Sequence, residues 1–174
     1  MALHIIIDGY NLIRQSNLLS AFDQQDIRSG RDALIDSLAC YKRIKKHRIT
    51  VVFDGTEAPA FSQEKDRMKG IDIRLSRFGE QADAVIKRMA KQFREKALIV
   101  TSDRDIAFFA ETEGATCLSS GEFEQRLAMA SYQEIKGVDN IQEDSGWVPN
   151  TKKKGPKKRL SRKDRRRKVK LRKL

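Results

Sequence analysis

The stretch LHIIIDG, residues 3–9, is a short and almost uniformly apolar run that ends at an aspartate and a glycine. It is too short for a helix and lacks the alternation of a half-exposed strand, so it predicts a strand buried on both faces. Residues 49–53 (ITVVF) and 97–100 (ALIV) have the same character, and an aspartate follows each within three residues. Strands of this kind are typical of parallel sheets that carry helices on both faces.

Longer segments between these runs predict helices, because their apolar residues recur at helical spacing. The predicted helices cover residues 26–47, 79–94, a segment through 106–111, and 119–135. Shorter strands are predicted at 71–75 and 114–118, and 56–70 is predicted to be a loop. The alternation of strands and helices predicts an α/β fold with a central, mainly parallel sheet.

The positive charge is concentrated at one end of the sequence. The 174 residues carry a formal net charge of +12, yet residues 151–174 hold 15 Lys and Arg with one acid, Asp164, and so carry +14. A polycation binds polyanions by releasing their counterions, so this tail predicts binding to RNA or DNA. Its apolar face is too thin for a role at a membrane surface. Self-repulsion and few apolar residues predict that the tail is disordered on its own, although its last stretch, residues 159–174, could become helical along RNA.

Three parts are therefore predicted: a domain at residues 1–136, a linker at 137–150 and a disordered, nucleic-acid-binding tail at 151–174. Lys and Arg contacts with phosphate give affinity without sequence choice. The tail residues predicted to make them are Lys152, Lys153, Lys154, Lys157, Lys158, Arg159, Arg162, Lys163, Arg165, Arg166, Arg167 and Lys168.

Five aspartates lie where the predicted strands end or the next helices begin: Asp8, Asp54, Asp83, Asp103 and Asp105. Each alone has an ordinary explanation as a turn or helix-capping residue. In a parallel sheet, however, Asp8, Asp83 and Asp103 converge on one edge, where their repulsion must be offset. Mg²⁺ or Mn²⁺ would offset it, since both prefer oxygen ligands. A metal site at these three acids is predicted, with Asp54 and Asp105 as further candidates.

Other reaction types find less support. The chain has no GxxxxGK[ST], GxGxxG or GxSxG motif, which argues against nucleotide binding of those types and a serine nucleophile elbow. Cys40 and Cys117 lie far apart and form no zinc-binding pattern, and His47 is expected to face water. The absence of a signal peptide and of a long apolar run predicts a cytoplasmic protein without membrane contact.

Four motifs resemble those of NYN domains, a branch of the PIN-like nucleases, and in particular the YacP-like group. They are IIDGYNLI at residues 6–13, VVFDG at 51–55, ADAVI at 82–86 and VTSDRD at 100–105. The similarity covers about residues 3–135 and leaves the tail outside. It implies a PIN-like three-layer α/β/α fold and metal-dependent endoribonuclease activity.

The resemblance also assigns roles to individual positions. Asp8, Asp83 and Asp103 match the metal-binding acids of the family, and Asn11 matches a signature asparagine that orients a ligand or the first loop. Asp105 matches a less regular acidic position, and Asp54 an acid near the pocket.

The function predicted from the sequence is that of an endoribonuclease that uses Mg²⁺ or Mn²⁺, with Asp8, Asn11, Asp83 and Asp103 as catalytic residues. The tail would recruit structured RNA, and some members of the group act on messenger RNA in association with ribosomes. Two alternatives stay open. One is a non-catalytic RNA- or ribosome-binding protein with a relic acidic pocket, and the other is a DNA-acting nuclease of the flap-processing type.

Overall fold

One six-stranded sheet organises the protein. The computed structural model describes residues 3–55, 65–77, 79–136 and 161–174. The strands are β1 (His4–Asp8), β2 (Arg48–Phe53), β3 (Lys65–Met68), β4 (Ile71–Leu75), β5 (Ala97–Val100) and β6 (Thr116–Leu118). Their order is β3-β4-β2-β1-β5-β6, and every pairing is parallel except that of β3 with β4. The predicted mainly parallel sheet is therefore confirmed.

Helices cover both faces of the sheet. Those in the described residues are α1 (Gly9–Gln15), α2 (Asn17–Gln25), α3 (Ile27–Lys45), α4 (Ala82–Phe93), α5 (Arg104–Thr112), α6 (Ser120–Lys136) and α7 (Arg162–Leu171). Ile5 and Ile7 of β1 join the apolar cluster of α1, α2, α3 and α6, whereas Ile6 joins that of α4 and α5. Because alternate residues of a strand face opposite sides, this division confirms three α/β/α layers.

Strand β1 lies at the centre of the sheet, and the strand order reverses there. The chain proceeds from β1 to β2 and β4 on one side, and later to β5 and β6 on the other. His4 pairs with both Arg48 and Ala97, so the three central strands start at one edge and end at the other. In such sheets the crevice beyond the carboxyl ends of the strands is where ligands bind.

Three elements differ from the prediction. Strand β3 lies within residues 56–70, which were predicted to be a loop, and it forms a hairpin with β4. The turn residues Lys69 and Gly70 have φ of 49° and 80°, as a tight two-residue hairpin requires.

Helices α1 and α2 were not predicted. Helix α1 begins directly after Asp8 because that side chain caps it, so an Asp-Gly pair that often marks a turn here starts a helix.

The prediction of a disordered tail is wrong for residues 161–174. Helix α7 forms there, and the Ser161 hydroxyl caps it by accepting a hydrogen bond from the Asp164 amide at 3.1 Å. Leu174 is buried in the main core, and Leu171 packs against that core. Leu171 is the last residue of α7 and Leu174 follows the helix by three residues. Burial of their apolar surface offsets the self-repulsion of the cations.

Two residues of the domain bind the backbone that follows α7. The Tyr41 hydroxyl donates to the Leu174 carbonyl at 3.1 Å, and His47 Nε2 lies 2.9 Å from the Lys173 carbonyl oxygen. His47 is buried by this contact, so the expectation that it faces water is wrong. The predicted linker at 137–150 and tail residues 151–160 lie outside the described residues.

Two smaller observations bear on the predicted environment of the protein. Within the described ranges, no helix is long and apolar enough to cross a bilayer. Cys40 and Cys117 are both buried.

Candidate active site

Asp8 ends the central strand and lies at the carboxyl-terminal edge of the sheet. Its Oδ1 accepts a hydrogen bond from the Asn11 amide at 3.2 Å, and its Oδ2 accepts one from the Thr101 hydroxyl at 3.3 Å. Only 9% of the residue is exposed. Burial raises the pKa of Asp8 to about 6, and the charges of Asp83 and Asp103 add to the rise, while the two hydrogen bonds oppose it.

Asp103 caps α5 beyond the adjacent strand. Its Oδ1 accepts hydrogen bonds from the amides of Asp105 at 2.7 Å and Ile106 at 3.3 Å. Its own amide donates to the Thr101 hydroxyl oxygen at 3.1 Å. Thr101 therefore donates to Asp8 while it accepts from Asp103, and this buried hydroxyl couples the positions of the two acids.

Asp83 lies in the first turn of α4, on the opposite side of the sheet from α1. Burial raises its pKa, the charge of Asp103 raises it further, and Lys87 opposes the rise. The charges of Asp8, Asp83 and Asp103 thus interact at the edge of the sheet where the parallel strands end. That convergence accumulates negative charge at one edge of the sheet.

Asn11 links three segments at this edge. Its Oδ1 accepts hydrogen bonds from the Ser102 amide at 2.9 Å and from the Ser120 hydroxyl at 2.7 Å. The Ser102 hydroxyl in turn accepts one from the Ser120 amide at 3.2 Å. The side-chain oxygen of Asn11 therefore holds the segment after β5 and the start of α6 against α1. The motif pointed to Asn11, but sequence reasoning missed its partner Ser120.

The two further acids occupy different surroundings. Asp54 follows β2 at the same edge and is half-buried. Asp105 is largely exposed and forms an ion pair with Lys87 of α4. Sequence reasoning missed Lys87, although a signal was present, since it lies four residues after Asp83 and so on the same helix face. Lys87 supplies a positive charge beside the acids.

A family model for the YacP-like NYN domain matches residues 5–173. The chain belongs to this family. NYN domains are part of the PIN-like nuclease superfamily, so membership indicates a nuclease-type function related to RNA. The match extends through α7, so the expectation that the resemblance leaves the tail outside is wrong.

Proteins from Bacillus subtilis are similar to this NYN domain. The chain is 26% identical over 102 residues to the uncharacterized protein YacP of strain 168, and the match spans 57% of this chain and 59% of that protein. The crystal structure of Rae1 (YacP) has a TM-score of 0.63 at 24% identity, over 79% of this chain and 80% of that one. A crystal structure of a tryptophan-to-leucine mutant of Rae1 gives 0.65 at 22% identity, over 83% and 86%. These structures support the fold.

The carboxylates of Asp8, Asp83 and Asp103 are of the ligand type that suits a divalent cation. Carboxylate oxygens are the ligands that Mg²⁺ and Mn²⁺ prefer, and a cation would relieve the repulsion that raises the pKa of Asp8 and Asp83. Within the described ranges, however, no group of three or more His, Cys, Asp or Glu side chains is spaced to hold a metal ion. The three acids would have to draw closer together to share one.

The basic residues of the tail that the structure describes do not join the acids. Lys152, Lys153, Lys154, Lys157, Lys158 and Arg159 lie outside the described residues, and for Arg162 and Lys163 only the helical backbone is described. Arg165, Arg166, Arg167 and Lys168 lie on α7, where Arg166 forms an ion pair with Glu95. Glu95 lies two residues before the start of β5, which places this ion pair at the amino-terminal edge of the sheet, away from Asp8 and Asp103.

Proposed function

We propose that this NYN domain is a metal-dependent endoribonuclease whose reaction centre is formed by Asp8, Asp83 and Asp103. The observation that carries the proposal is that these acids meet at the carboxyl-terminal edge of the sheet, where the Thr101 hydroxyl binds both Asp8 and the amide of Asp103. Burial raises the pKa of Asp8, and the charges of Asp83 and Asp103 add to the rise. One buried and two half-buried carboxylates that repel one another at a strand-end crevice are costly to maintain for stability alone, and such clusters concentrate at functional sites.

Mg²⁺ or Mn²⁺, held by the three acids with Asp54 and Asp105 as further candidates, would activate water and neutralise charge on the phosphodiester. The chain's own residues prepare the centre. Thr101 fixes the relative position of Asp8 and Asp103 through its hydroxyl.

Two further features suit an RNA backbone at this edge. Helices α5 and α6 both begin there, and the amino-terminal ends of helices attract phosphate. Asn11 fixes the positions of those two helix starts through its hydrogen bonds with Ser102 and Ser120. This supports a role for Asn11 in catalysis as a positioning residue.

The finer parts of the proposal rest on the family resemblance and on charge. We infer a cytoplasmic enzyme that acts on messenger RNA on or near the ribosome, since some members of the group act there and the tail carries +14 over residues 151–174. The tail cations are proposed to add RNA affinity that falls steeply with salt, as expected for phosphate contacts.

The test compares cleavage of total RNA and of ribosome-bound messenger RNA by wild type, Asp8→Asn and Asp32→Asn, with Mn²⁺ or with EDTA. Asp32 is an exposed acid of α3 and serves as the matched control. The proposal expects cleavage that EDTA abolishes, that Asp8→Asn lacks and that Asp32→Asn retains. Full cleavage by Asp8→Asn, or by wild type in EDTA, would contradict it.

A second candidate is an RNA-binding protein without catalysis. It is favoured by one observation, which is that the acids of the described residues are not spaced as a metal-binding group. RNA binding that survives EDTA, with no cleavage of either substrate under any metal condition, would select this candidate.

A further inference from the structure

Helix α7 has two faces with different roles. One face docks on the domain: Leu171 packs on the core, the Lys170 ammonium donates to the Ala97 carbonyl at 3.4 Å, and Arg166 pairs with Glu95. The other face carries Arg165 and Lys168, and Arg172, the C-cap residue in helical conformation, continues it; all three are exposed. Positions three and four residues apart lie on one side of a helix, so these three cations form one stripe.

The cations of this stripe do not bind α7 to the rest of the domain. Within the described residues, none of Arg165, Lys168 and Arg172 has an ion-pair partner. The seven-residue interval that they span corresponds to about 10 Å along the helix axis. Double-helical nucleic acid carries about one charge per 1.7 Å of its axis, so several phosphates fall within that reach.

The stripe lies far from the acids because α7 docks at the other edge of the sheet. Its partner Ala97 is the first residue of β5, and His47, which contacts the Lys173 carbonyl, precedes β2. Asp8 is the last residue of β1, whose five residues run from one edge to the other. At about 3.3 Å per residue, the strand alone separates the edges by roughly 13–17 Å.

We propose that the exposed face of α7 is a second RNA-binding site, which takes the phosphate backbone of a different segment from the one that reaches the acids. The inference rests on the proposed function for its account of the acid edge, but the second site is defined by α7 alone. RNA is favoured over an anionic membrane because, in the described part of the chain, Val169 is the only exposed large apolar residue beside the stripe, too little to enter a bilayer.

When one RNA molecule is already bound at one of the two sites, its binding at the other site is effectively intramolecular. Long or folded RNA that reaches both edges should bind more tightly than a short strand, without any additional contact at the acids. The helix would thus select for the size and shape of the RNA, and phosphate contacts of this kind carry no sequence preference.

The first experiment measures RNA affinity by fluorescence anisotropy in EDTA, so that binding is independent of cleavage. The triple variant Arg165→Glu, Lys168→Glu and Arg172→Glu is compared with Arg28→Glu, Lys45→Glu and Lys91→Glu, which reverses as many exposed cations elsewhere on the domain. The probes are a long hairpin-containing RNA, a short oligoribonucleotide and vesicles of anionic lipid.

The α7 variant is expected to lose about tenfold or more in affinity for the long RNA and to lower the slope of log affinity against log salt by about 2 to 3. The control triple should lose much less, and the loss should be smaller for the short RNA. Equal losses for both triples, equal losses for both RNAs, or binding of vesicles in place of RNA would each overturn the proposal.

The second experiment locates the two RNA segments directly. A photo-crosslinker is attached at Lys168→Cys on α7, or at Arg104→Cys in the first turn of α5 beside the acids, and the native cysteines are buried. Crosslinks from the two positions should map to different segments of one RNA, and overlapping crosslinks would refute a separate site. RNA binding lost with the α7 stripe, in a protein that cleaves nothing, would retain this site and remove the proposed nuclease function.

Discussion

The side-chain oxygen of Asn11 accepts a hydrogen bond from the backbone amide of Ser102, at 2.9 Å. This contact joins the segment after the central strand to the segment after its neighbour β5, and the same oxygen also binds Ser120. The relative placement of Asp8 and Asp103 thus depends on a residue that need not touch a substrate.

Asn11→Ala is expected to lower the free energy of unfolding by about 1–3 kcal/mol, because two donors lose their acceptor. Cleavage should fall by more than the loss of folded protein explains, since the segments that carry the acids are no longer tied together. Urea unfolding and the cleavage assay measure the two effects. Asn17→Ala, an exposed residue of α2, should change neither, and normal cleavage by Asn11→Ala would contradict the positioning role.

Asp8 should make folding depend on pH in an identifiable way. Its pKa is about 6 in the folded chain against 3.8 as the ordinary value, so the folded state holds the proton more tightly than the unfolded state. Stability from this group is therefore full below about pH 4, is lost as the pH rises through about 6, and stays absent above it.

Asp8→Asn should therefore raise the free energy of unfolding at pH 7.5 in EDTA by up to about 3 kcal/mol, and should give no gain near pH 4. The amide oxygen can still cap α1. Denaturant unfolding at both pH values measures the difference, with Asp32→Asn as the control. A gain of the same size at both pH values would show that ionisation of Asp8 is not its cause.

Lys87 is expected to moderate the charge of the acid cluster. It opposes the rise in the pKa of Asp83 and forms an ion pair with Asp105. Lys87→Met should therefore raise the pKa of Asp83 further, whereas Lys87→Arg should leave it near the wild-type value. Carboxyl NMR titration in EDTA measures this pKa. An Asp83 pKa unchanged in the Met variant would mean that Lys87 does not act on the cluster.

Gly9 should not tolerate a side chain. A Cβ atom there would lie 2.3 Å from Phe53 Cε1, inside the core beneath the start of α1. Gly9→Ala is expected to lower the free energy of unfolding by about 1–3 kcal/mol, because the buried ring must shift. Gly121→Ala, where a Cβ meets nothing within 4 Å, should be neutral or slightly stabilising in α6. Equal thermal stability of the two variants would contradict this packing argument.

The parts of the fold that sequence reasoning predicted are those whose signal is local. The apolar runs of β1, β2 and β5 are too uniform for anything but buried strands, and their parallel alignment brings Asp8 and Asp103 to one edge. The charge interactions of these acids agree with that convergence. Their role as metal ligands stays a prediction.

The parts of the fold that the sequence did not predict depend on contacts between residues far apart in the chain. Strand β3 has a polar sequence, and its pairing with β4 stabilises it more than any pattern of its own. Helix α7 is stabilised by Tyr41, which lies 133 residues before its partner Leu174. The sequence shows the thin apolar face of this stretch, but it does not show that Leu171 and Leu174 find a place on the core of the domain. The bond of Asn11 to Ser120 is likewise fixed only when the sheet has formed.

The β3–β4 hairpin also affects how the protein behaves when it is concentrated. It gives one border of the sheet a strand of sequence KDRM, in which Asp66 and Arg67 are exposed. An unpaired strand border is a template on which other chains can add and aggregate, and charged residues there oppose such growth. The other border, β6, is only three residues long. In the part of the chain that the structure describes, neither border offers a long apolar strand to a second chain, which disfavours sheet-to-sheet aggregation of the folded protein.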